Sequence, residues 1–152
     1  MPRWFLKHDW GCILKFSHTK FTKNILSTGL KDYGEGRLKV LISSEVQAII
    51  ELLAQVPQDQ DIEEAKQLMK SLTAVHIENT ITLLKACNYI KAKRLFLLLA
   101  DLCGHAWIKK IVIKDLNLGI GPRNLYPGGK YNNQYQITVP ESLYLEEGYE
   151  HK

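Results

Sequence analysis

A long apolar helix near the middle of the chain is the feature that most constrains the fold. Residues 90–103 include a strictly apolar run, and their polar residues Lys91, Arg94 and Asp101 share one narrow stripe at helical spacing. A helix that is apolar on most sides must be surrounded by other elements, and this run is far shorter than the ~20 residues that span a bilayer. We therefore predict a central buried helix. Gly104 follows its C-terminal end, where a glycine in the left-handed conformation commonly ends a helix.

Three further helices are predicted before the central one. Ser43 or Ser44 can cap a helix with an apolar stripe at 3.6-residue spacing, and Pro57 lies just beyond its end. Asp61 or Gln60 opens the next helix, whose first turn is rich in carboxylates, as the helix dipole favours. The predicted ranges are residues 44–56, 60–72 and 75–87.

Strands are predicted on both sides of these helices. Residues 10–17 alternate between apolar and polar positions, which is typical of a half-buried strand. Residues 26–31 and 37–42 flank a glycine-rich turn and predict a hairpin, and residues 135–139 predict a final strand. Strands that flank a helical centre indicate the α+β class, with about four central helices.

The composition indicates a soluble, single-domain protein of the cytoplasm. The 152 residues are 45% hydrophobic, enough for a core without a metal or a disulfide, and the N-terminus lacks the apolar stretch of a signal peptide. Cys12, Cys87 and Cys103 are odd in number and lack Cys-x-x-Cys spacing, which argues against disulfides and structural zinc. We interpret them as small apolar core residues in a reducing compartment.

Charge is distributed in blocks along the chain. The net charge is +5 over residues 1–42, −4 over residues 43–89, +6 over residues 90–134 and −3 over residues 135–152. Two basic segments separated by an acidic one suggest a recognition surface for an acidic partner, either nucleic acid or an acidic protein face. Clustering of ordinary solvated residues explains the same pattern equally well.

Basic and aromatic residues are interleaved within the second basic segment. Such residues on turns can contact phosphates and stack on bases, and the same residue types are enriched at protein interfaces. A solvated surface over an aromatic core is the third interpretation, and the sequence leaves all three open. The residues that we predict to contact a partner or nucleic acid are Lys91, Arg94, Lys109, Lys110, Arg123 and Lys130.

No motif in the chain predicts catalysis. Asp61, Glu64 and Lys66 echo the carboxylate–Glu-x-Lys cluster of metal-dependent nucleases, but that cluster needs adjoining strands and these residues fall on a predicted helix. Cys103 and His105 lie two residues apart across a helix end, without a third group to orient them. We predict a protein that is not an enzyme and binds neither cofactor nor metal, with a metal-dependent nuclease as a distant third hypothesis.

Several segments together resemble the AbiEi family, the antitoxins of type IV toxin–antitoxin systems. The resemblance rests on residues 91–110, on residues 115–123 with their Gly-Ile-Gly turn, on Tyr126-Pro-Gly-Gly-Lys130 and on the strand at 135–140. It covers about residues 3–143, which we expect to form the C-terminal antitoxin domain, followed by an acidic flexible tail at residues 144–152. One departure is Pro122, because relatives carry a basic residue directly after the second glycine of the turn.

The resemblance implies a function in abortive phage infection. In most relatives an N-terminal winged helix binds operator DNA, and a C-terminal domain neutralises a nucleotidyltransferase-like toxin without a stable complex. We expect this chain to hold only the second part, so repression through DNA binding does not carry over to it. The implied partner is the toxin, nucleic acid is a second candidate partner, and no membrane is involved. A standalone nucleic-acid-binding regulatory module is the alternative function.

Overall fold

The computed structural model of the chain describes Arg3, residues 7–9, Gly11, residues 27–37 and residues 39–145. Apart from Gly11, the predicted strand at residues 10–17 lies outside these residues, as does most of the predicted tail. The α+β class is confirmed, because in the described residues four helices follow the strands of one small sheet and precede those of another along the chain. The helices are α1 (Glu45–Gln55), α2 (Ile62–Ser71), α3 (Ile77–Ala86) and α4 (Ile90–Leu102).

Helix α4 is the centre of the core, as its apolar sequence predicts. Every residue from 92 to 100 is buried, and α1 and α2 pack against the helix. Gly104 has a φ of +69°, and its N–H donates to the carbonyl of Asp101 at 2.9 Å. The N–H of His105 donates to the carbonyl of Ala100 at 3.2 Å. This pair of bonds is a Schellman motif, which satisfies carbonyls that the helix end leaves unpaired.

The starts of α1 and α2 are capped by the side chains that the sequence indicated. The Ser44 hydroxyl accepts a hydrogen bond from the N–H of Gln47 at 3.4 Å. The Asp61 carboxylate accepts from the N–H groups of Glu63 and Glu64 at 2.7 and 3.1 Å. These caps satisfy donors that have no partner within the helix, and this explains why each helix begins where it does.

In the described part of the chain, five short strands form the two sheets. Strands β1 (Leu30–Tyr33) and β2 (Val40–Ser43) make an antiparallel hairpin. Strands β3 (Arg123–Asn124), β4 (Lys130–Asn132) and β5 (Ile137–Val139) form the second sheet, in which β5 is central, parallel to β3 and antiparallel to β4. We call the second sheet the C-terminal sheet. It is built from turns and short strands, and its central strand is buried at Ile137 and Val139.

The hairpin forms a few residues later in the chain than predicted. Gly34 and Gly36 have φ values of +118° and +60°, which place both glycines in the left-handed region. The chain therefore turns after Tyr33, and pairing begins with Leu30 opposite Ser43. Among the described residues, no helix has the length and apolar character needed to cross a bilayer.

The two cysteine thiols in the described part of the chain are shielded. Cys87 is buried and Cys103 is half-buried, and burial raises the pKa of both thiols. A raised pKa lowers the thiolate fraction at neutral pH, and the thiolate is the reactive form. We expect iodoacetamide to alkylate both at least roughly tenfold more slowly in the native protein than in urea. Mass spectrometry of timed samples measures this, and native alkylation of Cys87 at the rate seen in urea would contradict its placement in the core.

Candidate functional site

The structure separates the six predicted contact residues into three groups. Four of them are exposed, one is half-buried and one is buried. The exposed residues are Lys109, Lys110, Arg123 and Lys130, the half-buried one is Lys91 and the buried one is Arg94. Sequence spacing did not separate side chains that face solvent from side chains that other segments cover.

Arg94 does not belong to a solvent-exposed basic face, and this part of the prediction is corrected. Its side chain is only 1% exposed. The Nε atom donates to the carbonyl of Leu118 at 2.8 Å, and Nη1 donates to the carbonyls of Gly121 and Gln136 at 2.8 and 2.7 Å. Nη2 donates to the carbonyl of Gly119 at 3.3 Å. A guanidinium carries five N–H donors in a fixed plane, so it can satisfy several converging carbonyls at once.

These bonds fasten residues 118–121, which we call the glycine loop, to the start of β5. Gly119 and Gly121 have φ values of +70° and +77°, which allow both to turn their carbonyls toward the guanidinium. Gln136 also has a positive φ, at +51°, and its carbonyl accepts a second hydrogen bond from the N–H of Arg123 at 2.9 Å. Arg94 is therefore a positioning residue that joins α4, the glycine loop and the C-terminal sheet.

Lys91 and Arg123 lie on the same cleft at the beginning of α4. The cleft has a volume of about 550 Å³, and Pro122 and Asn124 also line it. The Lys91 ammonium donates to the carbonyl of Val56, and partial burial lowers the pKa of this lysine. The first turn of α4 contains no acidic residue, so the positive end of its dipole is not offset by a carboxylate there. The cleft thus presents two cationic side chains and a helix N-terminus.

Lys109 and Lys110 project from a short 3-10 helix, Ala106–Lys110. The preceding residues hold this helix in place, because Trp107 and Ile108 are buried and the Trp107 indole N–H donates to the carbonyl of Leu72 at 3.1 Å. The Trp107 ring stacks on His105 with 5.1 Å between centroids. Trp107 is therefore a core residue that anchors the two lysines, and it is not exposed for stacking on bases.

Lys130 and Tyr131 are on the exposed strand β4. The Lys130 ammonium lies 4.4 Å from the centroid of the Tyr144 ring, a cation–π contact that restrains the lysine without removing its charge. Tyr131 is exposed, and its strand pairs with β5, which holds its backbone in a fixed register. Strand pairing thus gives both side chains a defined place on the surface.

Residues 61–66 have structural contacts. Asp61 caps α2, and the Lys66 ammonium is buried and donates to the carbonyl of Leu143 at 2.7 Å. Within the described ranges, no group of three His, Cys, Asp or Glu side chains is placed to hold a metal ion. The nuclease hypothesis therefore gains no support from the positions of Asp61 and Lys66.

Sequence reasoning missed Ile120, the middle residue of the glycine loop. Its side chain is 97% exposed, while both neighbouring carbonyls are bonded to Arg94. The sequence carried no signal for this exposure, because burial depends on contacts between residues far apart in the chain.

Comparison with known proteins gives one informative result. The family model described as "Transcriptional regulator, AbiEi antitoxin, Type IV TA system" matches residues 1–140. No curated protein and no solved structure gives a significant match. The matched range contains the glycine loop, the exposed lysines and the C-terminal sheet described above. The chain therefore belongs to the AbiEi family of type IV toxin–antitoxin antitoxins and transcriptional regulators.

Proposed function

We propose that residues 3–143 act as an antitoxin domain that counteracts a nucleotidyltransferase-like toxin through an exposed basic surface. Membership of the AbiEi family supports the antitoxin role. The observation that carries the basic surface is the exposure of Lys109, Lys110, Arg123 and Lys130, which we call the basic quartet. Each of these residues is on a segment that is fixed by buried neighbours or by strand pairing, so the backbone from which each charge projects has a defined position.

The physical argument for a basic surface comes from what such a toxin acts on. A nucleotidyltransferase uses a nucleotide and modifies an acceptor, so its substrates carry phosphates. Fixed cations compete for phosphates or for the acidic groups that hold a nucleotide, and they also speed encounter with an acidic partner. Either contact interferes with the toxin without a long-lived complex.

Reversal of the basic quartet to glutamate is expected to abolish neutralisation of the toxin. The test is growth rescue in a host that expresses the toxin encoded beside this chain, with wild-type protein as the reference. The circular dichroism spectrum should stay unchanged, because exposed side chains contribute little to the fold. Rescue by the reversed variant at the wild-type level would contradict the proposal.

A control variant with the same net charge tests whether the position of the reversed residues matters. Arg37, Lys39, Lys70 and Lys85 are exposed and lie outside the second basic segment, so their reversal changes the net charge by the same amount. We expect this control variant to rescue growth. Separate reversal of Lys109 with Lys110, and of Arg123 with Lys130, then shows which half of the basic quartet contributes more.

Nucleic-acid binding is the second candidate function, and the cleft at the beginning of α4 favours it. Lys91, Arg123 and the helix N-terminus face this cleft, which is an arrangement suited to phosphate groups. If nucleic acid binds there, affinity should fall with salt with a log–log slope of about −0.7 to −0.9 per phosphate contacted. Fluorescence anisotropy over a salt series measures the slope, and a flat response would count against this function.

A further inference from the structure

A small cavity lies where the 3-10 helix Ser27–Gly29 meets the starts of α1 and α3, and we call it the α3 cavity. Its volume is about 180 Å³, several times the roughly 30 Å³ that one water occupies in the liquid. Val46, Leu72 and Leu83 form its apolar wall. The described lining of the α3 cavity shares no residue with the cleft at the beginning of α4.

The hydroxyl of Thr28 faces this cavity without a partner. Its oxygen is buried and accepts or donates no hydrogen bond, and among the described residues it is the one side-chain atom in that condition. The backbone holds the residue in place, because the N–H of Ser44 donates to the carbonyl of Gly29 at 2.7 Å and Gly29 is buried. Folded proteins pair nearly all buried polar groups, since an unpaired one has lost its bonds to water. The unpaired hydroxyl therefore points to a hydrogen-bonding group inside the cavity.

The start of α3 brings further donors to the same cavity. His76 is the N-cap residue of α3, but its side chain makes no capping bond. The His76 imidazole and the Asn79 amide both line the cavity, and in the described ranges neither side chain forms a hydrogen bond. An imidazole and an amide each offer an N–H, and the first N–H groups of a helix have no partner within it. Several donors from different segments thus meet at one small space.

The charges at the cavity favour a negatively charged ligand. Glu45 is the one acidic residue in the described lining, and its carboxylate is paired with the ammonium of Lys31. That contact lowers the pKa of Glu45, so the pair is ionised and adds no net charge to the rim. The N-termini of α1 and α3 both border the cavity, and each carries the positive end of a helix dipole. An oxyanion accepts several hydrogen bonds and is stabilised by such dipoles.

We propose that the α3 cavity binds a small oxyanion, a phosphate or a carboxylate, through the Thr28 hydroxyl, the Asn79 amide and the first N–H groups of α3. One ordered water would pair with Thr28, but it would leave the other donors and most of the volume unused. A bound anion would connect Ser27–Gly29, and with it the hairpin that follows, to α3. The inference does not depend on the proposed function, because no residue of the basic quartet lines the cavity.

Titration of the full chain with inorganic phosphate, followed by thermal unfolding, tests the site. Binding to the native state raises the unfolding midpoint in a saturable manner, whereas exclusion of phosphate from protein surfaces raises it without saturation. Thr28→Val removes the hydroxyl at nearly the same shape and should weaken binding by at least roughly tenfold. Asn79→Asp places a carboxylate against the anion and should abolish the saturable part. Asn133→Asp makes the same charge change at an exposed position and should bind like wild type.

The stability of the phosphate-free variant gives a second measurement that does not depend on the anion chosen. Thr28→Val should leave the urea midpoint unchanged or raise it, because the change removes an unpaired buried group. A lower midpoint would show that the hydroxyl already has a structural partner, and it would overturn the proposal.

Acetate in place of phosphate distinguishes the two kinds of oxyanion. A saturable response to either anion that Asn79→Asp abolishes supports the site and shows which group it prefers. If wild type responds to neither anion, the cavity holds water only and the proposal is wrong. Equal saturable responses of wild type and Asn79→Asp would also overturn it, because the anion would then bind elsewhere.

Discussion

Replacement of Arg94 by alanine is expected to lower the free energy of unfolding by about 3 kcal/mol or more. The substitution removes the donors for four carbonyls, and it leaves a void between α4 and the C-terminal sheet. Hydrogen bonds to a charged group are worth about 1.5–3 kcal/mol each, although their loss is offset in part where water reaches the carbonyls. Urea denaturation with linear extrapolation measures the difference.

Two companion variants show whether the effect belongs to the guanidinium. Arg94→Lys keeps the positive charge but replaces the planar fork with a single ammonium, so we expect an intermediate loss of stability. Arg123→Ala removes an exposed arginine nearby and should change stability by about 0.5 kcal/mol or less. If Arg94→Ala were as stable as Arg123→Ala, the buried hydrogen bonds would contribute nothing to the fold.

The second large effect is expected at Gly129, where alanine should cost about 2–3 kcal/mol. A Cβ atom there would overlap the carbonyl oxygen of Val139, lie 2.9 Å from its carbonyl carbon and lie 3.1 Å from the carbonyl oxygen of Tyr126. All three atoms belong to the backbone, so no side-chain rotation relieves the overlap. Relief requires β4 and β5 to separate, which weakens their pairing. Thermal and urea denaturation report the loss.

Gly128 provides the matched control for Gly129. The two glycines are adjacent in the turn that follows Tyr126 and Pro127, and the N–H of Gly129 donates to the carbonyl of Tyr126 at 3.0 Å. Gly128 has a φ of +81°, yet a Cβ atom there would meet no atom within 4 Å. Alanine at Gly128 therefore adds only backbone strain, about 1 kcal/mol. A Gly129→Ala variant that loses no more stability than Gly128→Ala would show that β4 and β5 can move apart at this turn at little cost in free energy.

Interactions between residues that are close in sequence account for most of the predicted elements. The caps at Ser44 and Asp61, the Schellman ending at Gly104 and the turn at residues 126–129 involve residues close in sequence, so their geometry is encoded by short segments. The β1–β2 hairpin was also predicted, but its register was not. Register depends on where the two glycines of the turn adopt positive φ, and alternation alone does not specify that.

The candidate site was predicted less completely. Lys109 and Lys110 are exposed at the end of a 3-10 helix, and Arg123 and Lys130 are exposed on short edge strands. Their role in binding remains a prediction. Trp107 is one of the aromatic residues interleaved with the basic residues of the second basic segment, and it packs in the core beside Phe96 with 5.9 Å between ring centroids. A tryptophan next to lysines has the same sequence pattern in both cases, and only packing distinguishes them.

The sequence by itself determined the central helix, the α+β class and the family, because helical periodicity, capping residues and the order of motifs are properties of the chain read in one dimension. Only the tertiary structure determined that Arg94 is buried and that Ile120 is exposed. Helical spacing places Arg94 on the polar stripe of α4, but four carbonyls from residues 118–136 surround its guanidinium, and the side chain is buried. Ile120 shows the opposite case, because its side chain is not covered by the segments that lie near Arg94. Arg94 holds its loop through the backbone carbonyls, and within the described part of the chain no segment covers the Ile120 side chain, which is 97% exposed. Burial depends on contacts between residues far apart in the sequence.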